Sequence, residues 1–152
     1  MEIYARGVSL VLPLRNLGPD PEPVRRTLDL TGSPLLDDWA SRVRDGAEAM
    51  LLVDASGRLV ALSAAAGALL GLEPTTSAGA MLLDLVEVVD FTAAAVPVPD
   101  PDIQLPPLRA IVTGRLNRGL VRLRSDARVR SYDVVGIPLA DSAGAVGFLA
   151  AV

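Results

Sequence analysis

The chain has 152 residues, 51% of them hydrophobic, with 14 basic against 18 acidic side chains and a net charge of −4. It holds no Cys and no His, which excludes disulfides, thiolate nucleophiles, imidazole bases and Cys/His zinc sites. All 14 basic residues are Arg, a bias typical of GC-rich coding, and the mild acidity argues against nucleic acid as a partner.

That length suits one domain with a real core. Mean hydropathy is high at +0.42, yet no run approaches the ~20 apolar residues of a membrane helix. No membrane partner is expected. The opening MEIYARG lacks the basic-then-apolar layout of a signal peptide, so a cytoplasmic location is expected.

Residues 1–33 stand apart as an N-terminal extension. Ile3–Leu14 is apolar, Asn16–Pro23 is rich in turn residues, and Glu22–Leu30 suits a short helix. Two readings stay open: a loosely attached arm, or a cap over a sheet face. Ser33-Pro34 is a helix start, a hydroxyl cap followed by Pro at the first turn. From there to Arg44, Leu35, Leu36, Trp39 and Val43 fall near one face, with Asp37 and Asp38 early and Arg42 and Arg44 late, as the helix dipole favours.

The stretch Ala49–Leu72 (AMLLVDASGRLVALSAAAGALLGL) predicts strand, tight turn, strand and helix without a linker. Asp54-Ala-Ser-Gly57 carries the turn chemistry, Ser63 stands at the N-cap and Gly71 where the helix should stop. Glu73–Ala78 reads as a short helical turn. Met81–Val89 suits either a buried strand or a short helix, the helix being favoured. Residues 91–107 hold five prolines and read as an extended insertion loop, either a lid or a plain surface loop. Pro107–Thr113 is a helix ending at Gly114. Three antiparallel strands come next, at Gly119–Arg124, Arg128–Leu139 and Ala145–Val152.

This layout resembles the PAS domain family over residues 34–152. The hairpin running into a capped helix carries the resemblance, together with the closing hairpin's Pro138, Asp141 and Gly144 in that order. Ser63 stands where the family often has Asn, which also caps a helix. Roadblock-type domains open on a similar hairpin but lack the capped helix and the long closing hairpin. The resemblance implies an α+β fold: a five-stranded antiparallel sheet, helices on one face and an N-terminal helical or extended cap on the other. It also implies a regulatory role, sensing a small ligand, pairing as a homodimer, or meeting a signalling protein. Without Cys, the cysteinyl-flavin photochemistry of one subgroup is excluded. Without His, haem is not expected, and no other cofactor is.

In the family the ligand lies between the inner sheet face and the helices. Strand alternation separates Tyr132, Val134 and Gly136 from Asp133, Val135 and Ile137, and the resemblance points the first set inward. Val121, Leu123 and Phe148 or Leu149 would join it, with Leu108, Ile111 and Val112 as the opposite wall. Such a pocket is apolar with one phenol, suited to a small hydrophobic or aromatic ligand. The alternative is a solid core in which Tyr132 bonds a backbone group. Val135, Ile137 and Trp39 mark the other face as a dimer or cap interface.

Seven arginines lie between Arg109 and Arg130, against Asp126 alone. They read either as a site for an anionic partner or as a solvated face paired with the acidic half. No catalytic residues are nominated. A carboxylate-based isomerase or hydrolase in a small α+β barrel is the alternative from another class, and a ligand-free interaction module is the alternative within this one.

Overall fold

Asp54 fixes the opening turn. One of its carboxylate oxygens accepts from the Ser56 amide (2.9 Å), the Ser56 hydroxyl (2.6 Å) and the Arg58 amide (3.0 Å), while Gly57 takes a φ of 90°. The turn joins β1 (Met50–Asp54) to β2 (Leu59–Leu62) as an antiparallel pair. The computed structural model describes residues 34–152, so the proposed N-terminal extension, including the Ser33 cap, lies outside the described residues. The chain divides into two units at Asp37/Asp38. Of the first, only Pro34–Asp37, the start of α1 (Pro34–Asp45), is described; every strand of the sheet belongs to the second.

Ser63 then does three jobs. Its hydroxyl oxygen caps α2 (Ala64–Leu70) by accepting from the Ala66 amide at 3.2 Å, and accepts from the Met50 amide at 2.9 Å. The same hydroxyl donates to the Glu48 carbonyl at 2.7 Å. Ser63 is fully buried, so it ties the start of the helix to the first strand where water cannot substitute. Gly71, at a φ of 71°, ends α2.

The run Met81–Val89 divides between the two structures it suits. Leu82–Leu85 forms one turn of helix, α4, after the short α3 (Pro74–Ser77). The β-branched residues beyond it then favour extended backbone, giving β3 (Glu87–Val89). Three of the five prolines of 91–107 lie in the first turns of helices, while Pro97 bridges to Val89. Pro101 opens α5 (Pro101–Gln104) and Pro106 opens α6 (Pro106–Thr113), each in the first turn, where proline's missing N–H is harmless. Gly114, at a φ of 68°, closes α6.

The long strands are β4 (Asn117–Ser125), β5 (Arg128–Pro138) and β6 (Gly144–Ala151). Asp126 and Ala127, both at positive φ, make a two-residue turn between the first two of these. Five strands are expected from the sequence; the antiparallel sheet of the described residues has six, in the order β2-β1-β6-β5-β4-β3, with β3 added beside β4. Both outer strands have chain along their free edges. The Leu59 amide of β2 donates to the Ala80 carbonyl, and the Val98 amide donates to Val88 of β3. Helices α2, α4 and α6 contribute to a single core over one sheet face, together with Leu51, Val53, Leu59 and Leu62.

Candidate functional site

The inner face of the sheet is where a ligand is expected. Val121 and Leu123 of β4, Tyr132 and Val134 of β5, and Leu108 of α6 are all buried there in one apolar cluster, with Ile111 partly buried against it. Two expected residues lie elsewhere. Val112 is 71% exposed. Successive helix residues turn by about 100°, and the buried side of α6 is centred on Pro107 and Ala110, which carries Val112 away from the core. Phe148 is on the opposite face, where it pairs with Met50 and Val135; its neighbour Leu149 takes the inward place. Strand alternation makes that a strict choice between the two.

The middle of the inner face is occupied by the chain itself. Gly136 and Gly147 are partners across β5 and β6, and α6 lies over them. A Cβ on Gly136 would overlap the Pro106 carbonyl, and one on Gly147 would stand 2.7 Å from the Pro107 ring. Glycine inside a strand is a signal for close backbone approach, and here it brings the first turn of α6 down onto the sheet.

Tyr132 is 1% exposed, and its hydroxyl donates to the Leu69 carbonyl of α2 at 2.8 Å. Burial pushes this phenol above its usual pKa, an effect partly offset by Arg130 and Arg128. Next to it the Ser125 hydroxyl donates to the Leu70 carbonyl at 2.5 Å. Neither the Leu149 position nor the Ser125 contact is assigned from the sequence; alternation offers Leu149 as one of two options, and nothing local marks Ser125.

On the outer face Met50, Phe148 and Val135 form one cross-strand row, continued by Arg118, and Leu52, Val146 and Ile137 form the next. Leu52 and Val146 are buried, Phe148 and Val135 are half-buried, and Ile137 is exposed. Trp39 of α1 is half-buried, with the Arg42 guanidinium 5.1 Å from its ring centre.

The arginine run divides by partner. Arg118 donates twice to Asp133, at 3.1 and 2.6 Å, a pair that holds the Asp133 carboxyl below its usual range. Arg122 donates to the carbonyls of Asp90 and Thr92, and Arg124 pairs with Glu87 and donates to the Ala95 carbonyl. These two fasten the start of the insertion to β4. Asp90 stiffens it further by accepting from Thr92 and Val96, and the Thr92 hydroxyl is the main cause of its lowered pKa. Among the described residues no group of three or more Asp or Glu is placed to hold a metal ion. No described helix is long and apolar enough to cross a membrane.

No family model matches the sequence, and no curated protein matches it. Solved structures do. The PAS domain of a protein from Colwellia psychrerythraea aligns at a TM-score of 0.54 and 14% identity, covering 78% of this chain and 97% of that one. The PAS domain of nitrogen regulation protein NR(II) from Vibrio parahaemolyticus aligns at 0.52 and 14% identity, covering 74% and 96%. The Rhodobacter sphaeroides LOV protein aligns at 0.57 and 17% identity, covering 76% and 65%. With its hairpin-helix opening, its three-strand closing sheet and these neighbours, the chain has the PAS fold.

Proposed function

We propose that this chain is a regulatory domain of the PAS kind that works by pairing with a second copy of itself through the outer face of its sheet. One observation carries the reading: the first turn of α6 fills the middle of the inner face, while Phe148, Val135 and Ile137 remain partly exposed on the outer one. Both sheet edges are bonded to neighbouring chain, at Leu59 of β2 and Val88 of β3, which favours the face over an edge as the meeting surface. Covering such a row stabilises by about 25 cal/mol per Å² of apolar surface removed from water.

Catalysis is not part of this reading. Asp90 and Asp133 have lowered pKa values, the wrong direction for a general acid, and both are engaged in structure. Sedimentation equilibrium tests the pairing. The wild type should be dimeric at micromolar concentration, and Val135→Asp should be a folded monomer. A wild type that stays monomeric to millimolar concentration, or a Val135→Asp variant that still dimerises, would count against it; a different signalling protein would then be the partner to seek.

A second reading keeps the ligand. Leu108, Ile111, Val121, Leu123, Tyr132 and Val134 surround the inner face, and a small apolar or aromatic molecule would enter by lifting α6. Native mass spectrometry of freshly purified protein, with a denatured control, tests it. Excess mass lost on denaturation supports the sensor, and a bare chain supports the interaction module.

A further inference from the structure

A cavity of about 50 Å³, open to solvent, lies where the β4–β5 hairpin meets the end of α2. About 10–15 Å³ of such space accommodates one water, so it has room for a ligand of roughly four non-hydrogen atoms. We propose that this cavity binds a small monocarboxylate, held by the guanidinium groups of Arg128 and Arg130.

Arg128, Arg130 and Tyr132 alternate along β5 and line one side; Ala68, Leu69 and Leu70 line the other. The two arginines differ from those of β4. Arg118 and Arg124 are in ion pairs and Arg122 is bonded to loop carbonyls, whereas Arg128 and Arg130 make no salt bridge among the described residues, and Arg130 reaches only the Tyr132 hydroxyl on the cavity wall. Each guanidinium is a planar fork that matches the two oxygens of a carboxylate.

The remaining lining limits the charge and shape of the ligand. Asp126 also borders the cavity, and the C-terminal end of α2 presents carbonyl oxygens, two of them already accepting from Tyr132 and Ser125. Those groups repel any anion, and a dianion such as sulfate or hydrogen phosphate more strongly than a monoanion. The aliphatic side provided by α2 suits a short alkyl group. Gly71, at a φ of 71°, also borders the cavity. This site is separate from the outer face, so its test does not depend on whether the chain pairs.

The test is titration of the ¹⁵N-labelled full chain with sodium acetate, replacing sodium chloride at constant ionic strength. Saturable amide shifts confined to Gly71 and residues 125–130 are expected. Arg128→Gln and Arg130→Gln should each weaken the apparent Kd tenfold or more. Both side chains are exposed, so the variants should keep the wild-type spectrum elsewhere; if one fails to fold, the other still decides. Linear shifts, or a Kd unchanged in a folded variant, would overturn the site. Tighter binding of sulfate than of acetate would overturn its assignment to a monocarboxylate.

Discussion

Gly136 and Gly147 face each other across β5 and β6, and together they form a bare patch on which Pro106 and Pro107 rest. The absence of two side chains is thus what closes the inner face. Gly136→Ala should lower stability by about 1–3 kcal/mol, because the added methyl forces backbone rather than a pliant side chain to move. Gly147→Ala meets a proline ring and a Leu51 methyl and should cost less. Urea unfolding of the two variants checks the order; equal, negligible effects would show that α6 is not packed in this way.

Ser63→Ala should cost about 1–3 kcal/mol. It removes the cap of α2 and leaves the buried Met50 amide without its acceptor. The expected sign of this double role is a loss larger than an exposed cap gives, again read by denaturant midpoint at unchanged slope.

Tyr132→Phe should destabilise by about 0.5–1.5 kcal/mol through loss of the bond to Leu69. There is a pH signature as well. The folded phenol titrates above its ordinary value of 10.0, so the neutral form is favoured by folding. Its contribution is complete below pH 10 and is lost as pH rises through the folded pKa. Wild type should therefore weaken above pH 10 more steeply than Tyr132→Phe does, as thermal midpoints would record.

In acid the sign reverses. Asp90 and Asp133 both titrate below their ordinary 3.8 when folded, so the unfolded chain takes up their protons first. Their stabilisation is present above about pH 4 and disappears as pH falls through the folded values. Asp133→Asn and Asp90→Asn should each flatten the acid limb of the stability profile. A wild-type slope in either variant would mean that the bonds to Arg118 or Thr92 do not persist in solution.

Val112→Ser should change stability by no more than about 0.5 kcal/mol, as for an exposed site. Leu108→Ala, one turn earlier on the same helix and buried, should cost about 2–5 kcal/mol. Calorimetry on the pair tests the orientation of α6.

Much of this fold is legible in the order of turn residues and apolar runs. Asp54, Ser63, Gly71 and Gly114 each act where local chemistry places them, because caps and turns depend on neighbours two to four residues away. The sixth strand is harder to see. Three residues of β3 gain their pairing from β4, more than thirty positions later, and no local signal announces that partner. Proline is ambiguous in a similar way: Pro101 and Pro106 suit an extended segment and a helix start equally well until the packing decides. At the candidate site alternation separates Tyr132 and Val134 from Asp133 and Val135. The resemblance to PAS domains is what points the first pair inward, with Val121 and Leu123 beside it. The choice between Phe148 and Leu149 needs the register of β6, which is fixed by its pairing with β1 and β5. That Gly136 and Gly147 receive a proline pair is a tertiary fact, readable beforehand only as a warning that some backbone comes close.

The covered edges of the sheet also bear on how this molecule can accumulate. An open strand edge is a template that repeats with each added copy, so association through it has no natural end point. With Ala80 bonded to Leu59 of β2 and Val98 to Val88 of β3, part of that template is taken up within the chain. The proposed association by the outer face would use the same patch on both partners, and a two-fold arrangement would leave nothing over for a third. High concentration should consequently drive this protein toward a closed pair and not toward fibrils.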